Sequence, residues 1–299
     1  MRAYYIDANL EKVPLEQSES LETKYLLKVF DYIKQVLPGN NLEFYVTANK
    51  AQLPEYKDKI VFLLGDEHYT VPTYYNKVKL IFKNYFGEDI EFTNNLKKIR
   101  KYKDFNIYGM PLPPVAYYNE DFKISPMPFE ERPIDILFRG NGNSRPEFYS
   151  YITEKFVPLV KEGRFKKLKC NISFGTKFRD IDSSNGRDPT TFVTEMAISK
   201  ICLCPRGTSV ETFRHTEALR SGCIIISEKL PEAEYYKDCP FYIVDKQWTR
   251  LPQILDEIFN PDNEEKNLNM HKKMLQLWED RFSEKAVANN IVSIVKKYL

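Results

Sequence analysis

The apolar residues of this chain arrive in short unbroken runs, the longest of four or five residues, with turn-forming residues at their ends. Ile60-Val61-Phe62-Leu63-Leu64 stops at Gly65-Asp66-Glu67-His68, Ile201-Cys202-Leu203-Cys204 stops at Pro205-Arg206-Gly207, and Cys223-Ile224-Ile225-Ile226 follows Ser221-Gly222. Runs of this length without alternation suit parallel strands buried on both faces. They fall far short of the ~20 residues that a membrane span requires. Helical stripes separate them. Leu21, Tyr25, Leu26, Val29, Phe30, Ile33 and Leu37 recur at spacings of three and four, one face of a helix over 21–37, and Pro38-Gly39-Asn40-Asn41 stops it. Strands are expected at 2–6, 42–46, 60–64 and 77–86, then at 134–138, within 167–174, at the end of 196–204 and at 223–227. Helices are expected at 210–220, 248–259, 267–278 and 283–298.

That alternation predicts an α/β fold, and 299 residues at about 150 per domain suggest two domains. Six of the 18 prolines fall between Met110 and Pro133, a density that marks an extended linker. The expected division is therefore an N-terminal domain over 1–115, a Pro-rich linker over 116–133 and a C-terminal domain over 134–282. The terminal helix within 283–299 is available to pack back on the first domain. Two βαβ domains of this kind form doubly wound sheets facing each other across a cleft, where ligands commonly bind.

Composition excludes several classes. The chain is 42% hydrophobic, which excludes disorder. Lys+Arg 44 against Asp+Glu 42 leaves +2, too balanced for a protein that coats nucleic acid. Asp7 and Glu11 stand where a signal peptide would be apolar, which points to a cytoplasmic protein without an integral membrane segment. Five cysteines in no framework spacing read as buried free thiols. With three scattered histidines, no metal site is expected. Asp180-Ile181-Asp182 is a literal D-x-D, but its Gly, Ser and Asn neighbours read as a polar loop.

Residues 200–228 are the most informative segment. A buried strand delivers the chain to Pro205-Arg206-Gly207 and then to a helix, with Thr208 and Glu211 at capping-box spacing. Such a helix start presents free N–H groups to an anion. Gly207, Thr208 and Ser209 would line it, with Arg206 adding a charge. Arg214 and Glu217, three apart, share a helix face. Glu217 could accept two hydroxyls of a ribose, and together these residues describe a nucleotide diphosphate pocket. In isolation, Arg214 and Glu217 read equally well as a surface ion pair, and Thr208 with Glu211 as a simple cap.

The same block, an apolar strand with Leu-Cys-Pro-x-Gly, an Arg, Glu-Ala, Gly-Cys and a second apolar strand, resembles the signature region of exostosin-like glycosyltransferases. Arg139-Gly140-Asn141-Gly142-Asn143-Ser144-Arg145 resembles that family's Gly-Asn…Arg loop, and Leu80–Phe86 followed by Met110-Pro111-Leu112-Pro113 resembles the end of its N-terminal domain. The resemblance spans roughly 80–230. It implies a GT-B fold, an acceptor-binding N-terminal domain and a C-terminal domain holding a nucleotide sugar. It also implies inverting transfer without a metal or cofactor, using a UDP-sugar of xylose, galactose, glucuronate or GlcNAc type as co-substrate. Arg139, Asn141, Arg145, Arg214 and Glu217 take the family's donor-binding positions. Many relatives are membrane-anchored, and the absence of an anchor here suggests a bacterial or viral enzyme acting on an oligosaccharide or glycoprotein. Alternatives are a GDP-fucose fucosyltransferase, although its Tyr-x-Thr-Glu-Lys pattern is not evident, and an inactive carbohydrate-binding protein of the same fold. The base of an inverting enzyme is expected in the first domain. Asp66, at the carboxyl end of a buried strand, is the first candidate, its pKa raised by partial desolvation. Glu67 and His68 are alternatives.

Overall fold

The structure is a computed structural model that describes residues 1–18, 22–88, 91–93, 99–102, 105–114, 125–175 and 189–299. The chain divides into two units: Met1–Val115 with Pro231–Lys237 and Glu279–Leu299, and Ala116–Leu230 with Asp238–Trp278.

In the first unit, β1 (Arg2–Ile6), β2 (Lys12–Pro14), β3 (Glu43–Thr47), β4 (Ile60–Leu63), β5 (Leu80–Lys83) and β8 (Ile107–Gly109) form one sheet in the order β2-β1-β3-β4-β5-β8. Only β2 is antiparallel. A small antiparallel ribbon joins β6 (Glu91–Thr93) to β7 (Ile99–Lys101). Every residue of β4 and β5 is buried, which explains the unbroken apolar run at 60–64. Helix α1 (Thr23–Val36) lays Tyr25, Leu26, Val29, Phe30 and Ile33 into the core. Phe30 packs 5.2 Å from Phe44 and 5.1 Å from Phe62, burial worth about 1.5–3 kcal/mol for a side chain of that size. The helix Glu284–Val295 packs against α1: Tyr25 Oη donates to Phe282 O at 2.7 Å, and Ser283 Oγ caps its start by accepting from Ala286 N at 3.3 Å. The strand expected over 77–86 is shorter than its apolar pattern, because Tyr85 adopts φ +52° and turns the chain out of the sheet.

In the second unit, β9 (Ile134–Asn141), β10 (Cys170–Gly175), β11 (Ser199–Cys204), β12 (Ile224–Glu228) and β13 (Tyr242–Val244) are all parallel in the order β10-β9-β11-β12-β13. Around them run α2 (Pro146–Tyr151), continued through a π turn into α3 (Val157–Lys161), then α4 (Pro189–Ala197), α5 (Phe213–Arg220), α6 (Leu251–Ile258) and α7 (Glu264–Leu277); the terminal helix Glu284–Val295 is α8. Phe138 of β9 stacks edge-on against Phe148 of α2, which in turn meets the buried Trp248. β9 runs three residues past the expected 138, because Gly140 and Asn141 pair with Phe174 and Gly175 of β10. Cys202, Cys204 and Cys223 are buried free thiols, whereas Cys170 is exposed. No helix among the described residues is long and apolar enough to cross a membrane.

The latter part of the expected linker is not an extended tether. Phe129 is buried, and Arg132, 2% exposed, donates to three backbone carbonyls: Nε to Met127 at 2.9 Å, Nη1 to Ser199 at 2.6 Å and Nη2 to Ser221 at 2.7 Å. One guanidinium thereby fastens the segment before β9 to the start of β11 and the end of α5. Residues 116–124 lie outside the described residues. Each buried carbonyl left unpaired costs about 1–3 kcal/mol, so Arg132→Met is expected to lower the unfolding free energy by about 3 kcal/mol or more. Urea unfolding would detect this, and a loss below about 1 kcal/mol would contradict it.

Candidate functional site

The second unit's strand order reverses at one place. β10 lies on one side of β9 and β11 on the other, so the crossover leaving β9 toward β10 and the one leaving β11 toward β12 run in opposite directions. In open parallel sheets the crevice outside the carboxyl ends at such a switch point is where ligands bind. The expected donor-binding residues collect there. Arg139 and Asn141 lie within the last three residues of β9 rather than in a loop after it. Asn141 O accepts from Arg145 Nη1 at 3.0 Å and Asn141 Oδ1 from Asn143 N at 2.8 Å, so the loop 141–145 folds on itself before Pro146 starts α2. A Cβ on Gly207, just after β11, would stand 3.5 Å from Arg145 Nη2. Arg214 of α5 donates to Arg139 O, with its guanidinium 4.8 Å from the Phe138 ring centroid. Gly140 permits this approach, since a Cβ there would stand 3.0 Å from Arg214 Nη2.

Two of the four arginines are already neutralised. Arg139 pairs with Glu195 of α4, and Arg206 Nε donates to Glu228 Oε2 at 2.5 Å while its backbone N reaches Oε1 at 3.3 Å. Glu217 is buried, so it does not belong to a pair on the surface. Arg139 Nε, Arg214 Nε and Glu195 Oε2 are buried polar atoms with no hydrogen-bond partner among the described residues. Unsatisfied groups of this kind are uncommon, and these belong to Arg139 and to the two residues that contact it.

Helix α5 starts later than Thr208. Gly207 N donates to Ser209 O at 2.8 Å and Glu211 N to Ser209 Oγ at 3.2 Å, local turns that hold 207–211 out of the helix. Thr208 is exposed and Ser209 buried. The N-cap is Thr212, with His215 in the place where Glu or Gln usually completes the capping box. Thr212 N donates to His215 Nδ1 at 3.2 Å. Glu195, His215 and Glu228 did not stand out in the sequence. Glu228 had one visible signal, a charge closing an apolar strand.

The carboxyl ends of β4 and β5 in the first unit form a separate polar cluster. Asp66 is not presented to solvent: its side chain is 0% exposed. Its Oδ2 accepts from Lys83 Nζ at 2.8 Å and Thr70 N at 2.7 Å, and its Oδ1 accepts from Lys50 Nζ at 3.1 Å and Thr70 Oγ1 at 3.0 Å. Burial alone pushes this carboxyl's pKa up, as expected from the sequence. The Lys83 charge and the hydrogen bonds from Lys83, Lys50 and Thr70 outweigh it and hold the pKa below the ordinary range. The expected upward shift is thus reversed. Glu67 is half-buried and accepts from Tyr85 Oη at 3.3 Å, and His68 is exposed. Lys83, fully buried, has no sequence signal beyond its place at the end of an apolar run.

Among the described residues no group of three or more His, Cys, Asp or Glu is placed to hold a metal ion. Asp180-Ile181-Asp182 lies outside the described residues.

Burial holds the His215 pKa down at about 4, against an ordinary 6.5; the neighbouring Arg214 charge adds to this and the hydrogen bond with Thr212 opposes it. The unfolded chain therefore takes up this proton first. The contribution is intact above pH 6.5 and is lost as pH falls toward 4, a change of about 3 kcal/mol. His271 is also held below its ordinary value, chiefly by burial, and acts in the same direction. His215→Gln retains capping chemistry without the titration, so its stability is expected to fall less steeply over this range. Parallel slopes for the two proteins in denaturant titrations at pH 7, 6, 5 and 4 would contradict the assignment.

No family model matches the chain, and no curated protein sequence matches it. Among solved structures, it aligns with a chain of the GtfA/B complex at TM-score 0.52 and 12% identity, covering 92% of this chain and 60% of that one. A glycosyltransferase from Rickettsia africae aligns at TM-score 0.42 and 15% identity, with 94% and 83% covered. The pneumococcal O-GlcNAc transferase GtfA, in complex with UDP and GlcNAc, aligns at 0.45 and 12%, with 91% and 59% covered. The chain thus spans less than two thirds of the GtfA/B chain it matches. The first of these likenesses, together with the two parallel-sheet units, establishes a GT-B fold.

Proposed function

We propose that this chain is a glycosyltransferase that moves a sugar from a nucleoside diphosphate sugar to a hydroxyl of a glycan or glycoconjugate. The observation that carries the reading is the gathering of Arg139, Asn141, Arg145, Arg206, Gly207 and Arg214 at the single switch point of the second unit. Loss of a diphosphate leaving group needs preorganised positive charge and N–H donors where negative charge develops. Glu195 and Glu228 neutralise two of the arginines, which makes Arg139 and Arg206 orienting groups. Arg145 and Arg214 add further positive charge at the same place, with Gly207, Thr208 and Ser209 lining the approach. Glu217 accepts the ribose hydroxyls.

The exostosin-like motifs favour a UDP-linked donor and inversion in one displacement, with arginines in place of a metal ion. In that mechanism a general base takes the acceptor's proton as its oxygen attacks the anomeric carbon. Asp66, enclosed by its own donors, cannot touch an acceptor, and the role passes to Glu67 or His68. These two retain polar side chains that are half-buried or exposed.

Thermal unfolding with UDP, GDP, CMP and dTDP tests the reading. UDP is expected to raise the unfolding temperature most, EDTA is expected to leave UDP-sugar turnover unchanged, and a metal requirement restored by Mn²⁺ or Mg²⁺ would overturn the metal-free mechanism. Indifference to all four nucleotides would overturn the donor site itself. Loss of a charge-assisted hydrogen bond costs about 1.5–3 kcal/mol, so Glu217→Ala is expected to weaken UDP about tenfold or more by calorimetry. Unchanged affinity in the folded variant would remove Glu217 from the ribose.

A further inference from the structure

The turn after β4 is fastened by groups that packing alone does not require. Lys83 and Asp66 form an ion pair with neither side chain exposed. The attraction in such a pair only partly returns the desolvation cost, and apolar replacements are often neutral or stabilising. Lys83 Nζ also donates to Thr70 O at 3.0 Å and to Tyr102 Oη at 2.9 Å, and Tyr102 Oη donates to Tyr69 O. Asn84, next to Lys83, holds Gly65 through Gly65 N to Asn84 Oδ1 at 3.1 Å. The backbone is strained at the same place: Tyr69 and Tyr85 adopt φ +54° and +52°, a region that bulky residues avoid. Gly65, at φ +71°, turns without penalty. Strain that persists in this way tends to mark functional sites.

Where these bonds reach the turn itself, they fall on Gly65, Asp66, Tyr69 or Thr70. Between them stand Glu67 and His68. Tyr85, itself in the strained conformation, reaches Glu67 with its hydroxyl. We propose that the buried Lys83–Asp66 pair is a positioning device that fixes Glu67 and His68 for proton transfer, with Lys83 a positioning residue rather than a catalytic one. This rests on the glycosyltransferase reading above. The alternative is that the pair serves stability alone, and the two differ in what happens when the charge is removed without loss of the fold.

Lys83→Met alone would leave Asp66 buried without its main partner, and the variant could fail to fold for that reason. The paired variant Lys83→Met/Asp66→Asn removes both charges and retains their shapes. It is expected to unfold at a temperature close to the parent's and to bind UDP within about twofold. Its kcat is expected to fall about a hundredfold, the usual scale for a misplaced reacting group, and amides 67–70 should exchange hydrogen faster. Glu67→Gln and His68→Ala made in the parent identify which group is the base. Added to the paired variant, that substitution should cost little more, since groups acting as a unit are not additive. A folded paired variant with parental kcat, or one in which UDP affinity falls in step with kcat, would overturn the proposal. Should the parent transfer no sugar from any nucleotide donor, the function reading fails, and hydrogen exchange then decides alone: unchanged protection at 67–70 would overturn the positioning role as well.

Discussion

A parallel strand reaches its neighbour only through a crossover, so every strand of these sheets opens at its carboxyl end into a turn. Strand order then decides which turns can cooperate. In the first unit β1, β3, β4, β5 and β8 advance in one direction, and no two crossovers diverge. In the second, the central placement of β9 between β10 and β11 separates the crossovers and leaves the ends of β9 and β11 uncovered by either. Everything assigned to donor binding depends on that placement. Arg139 and Asn141 ride on β9, Arg206 and Gly207 leave β11, and Arg214 comes back toward β9 because α5 is the next element after β11.

The electrostatics of that crevice are more restrained than four arginines suggest. Glu195 and Glu228 come from the helix before β11 and the strand after it, the elements that flank β11 in sequence. Pairing reduces the repulsion that four neighbouring guanidinium groups would otherwise suffer and fixes the planes of two of them. The remaining demand shows in Arg139 Nε, Arg214 Nε and Glu195 Oε2. Among the described residues these atoms have no partner, and a ligand or a side chain that offers both a donor and an acceptor would match them.

The parts of this molecule that were legible in the sequence are those set by local periodicity: β1, β4, α1 and the helix over 267–278 fall within a few residues of their apolar patterns. The start of α5 was not legible, because Thr208 with Glu211 and Thr212 with His215 share one spacing. The turn around Ser209 decides between them, and histidine is not a usual capping partner. The extent of β9 was hidden for a different reason. Arg139, Gly140 and Asn141 have no strand character, and only pairing with β10 extends the strand through them. Proline density at 126–133 suggested a tether, but a single arginine with three carbonyl partners makes this segment part of a core. Lysine is almost never fully buried without a partner, and for Lys83 the partner stands 17 residues earlier in the chain.

The carboxylate at position 66 illustrates how one environment supports opposite chemistry. Burial raises a carboxyl pKa and can make it a base at neutral pH, which is the reasoning that singles out Asp66 from sequence. The same burial, with a lysine drawn in from the adjacent strand, intensifies the attraction between the two charges. The shift changes sign, the lone pairs fill, and a prospective base becomes an anchor. What decides the outcome is whether the end of β5 carries a cation, and Lys83 does. The turn's chemistry is thereby displaced to Glu67 and His68, whose side chains the anchor does not engage.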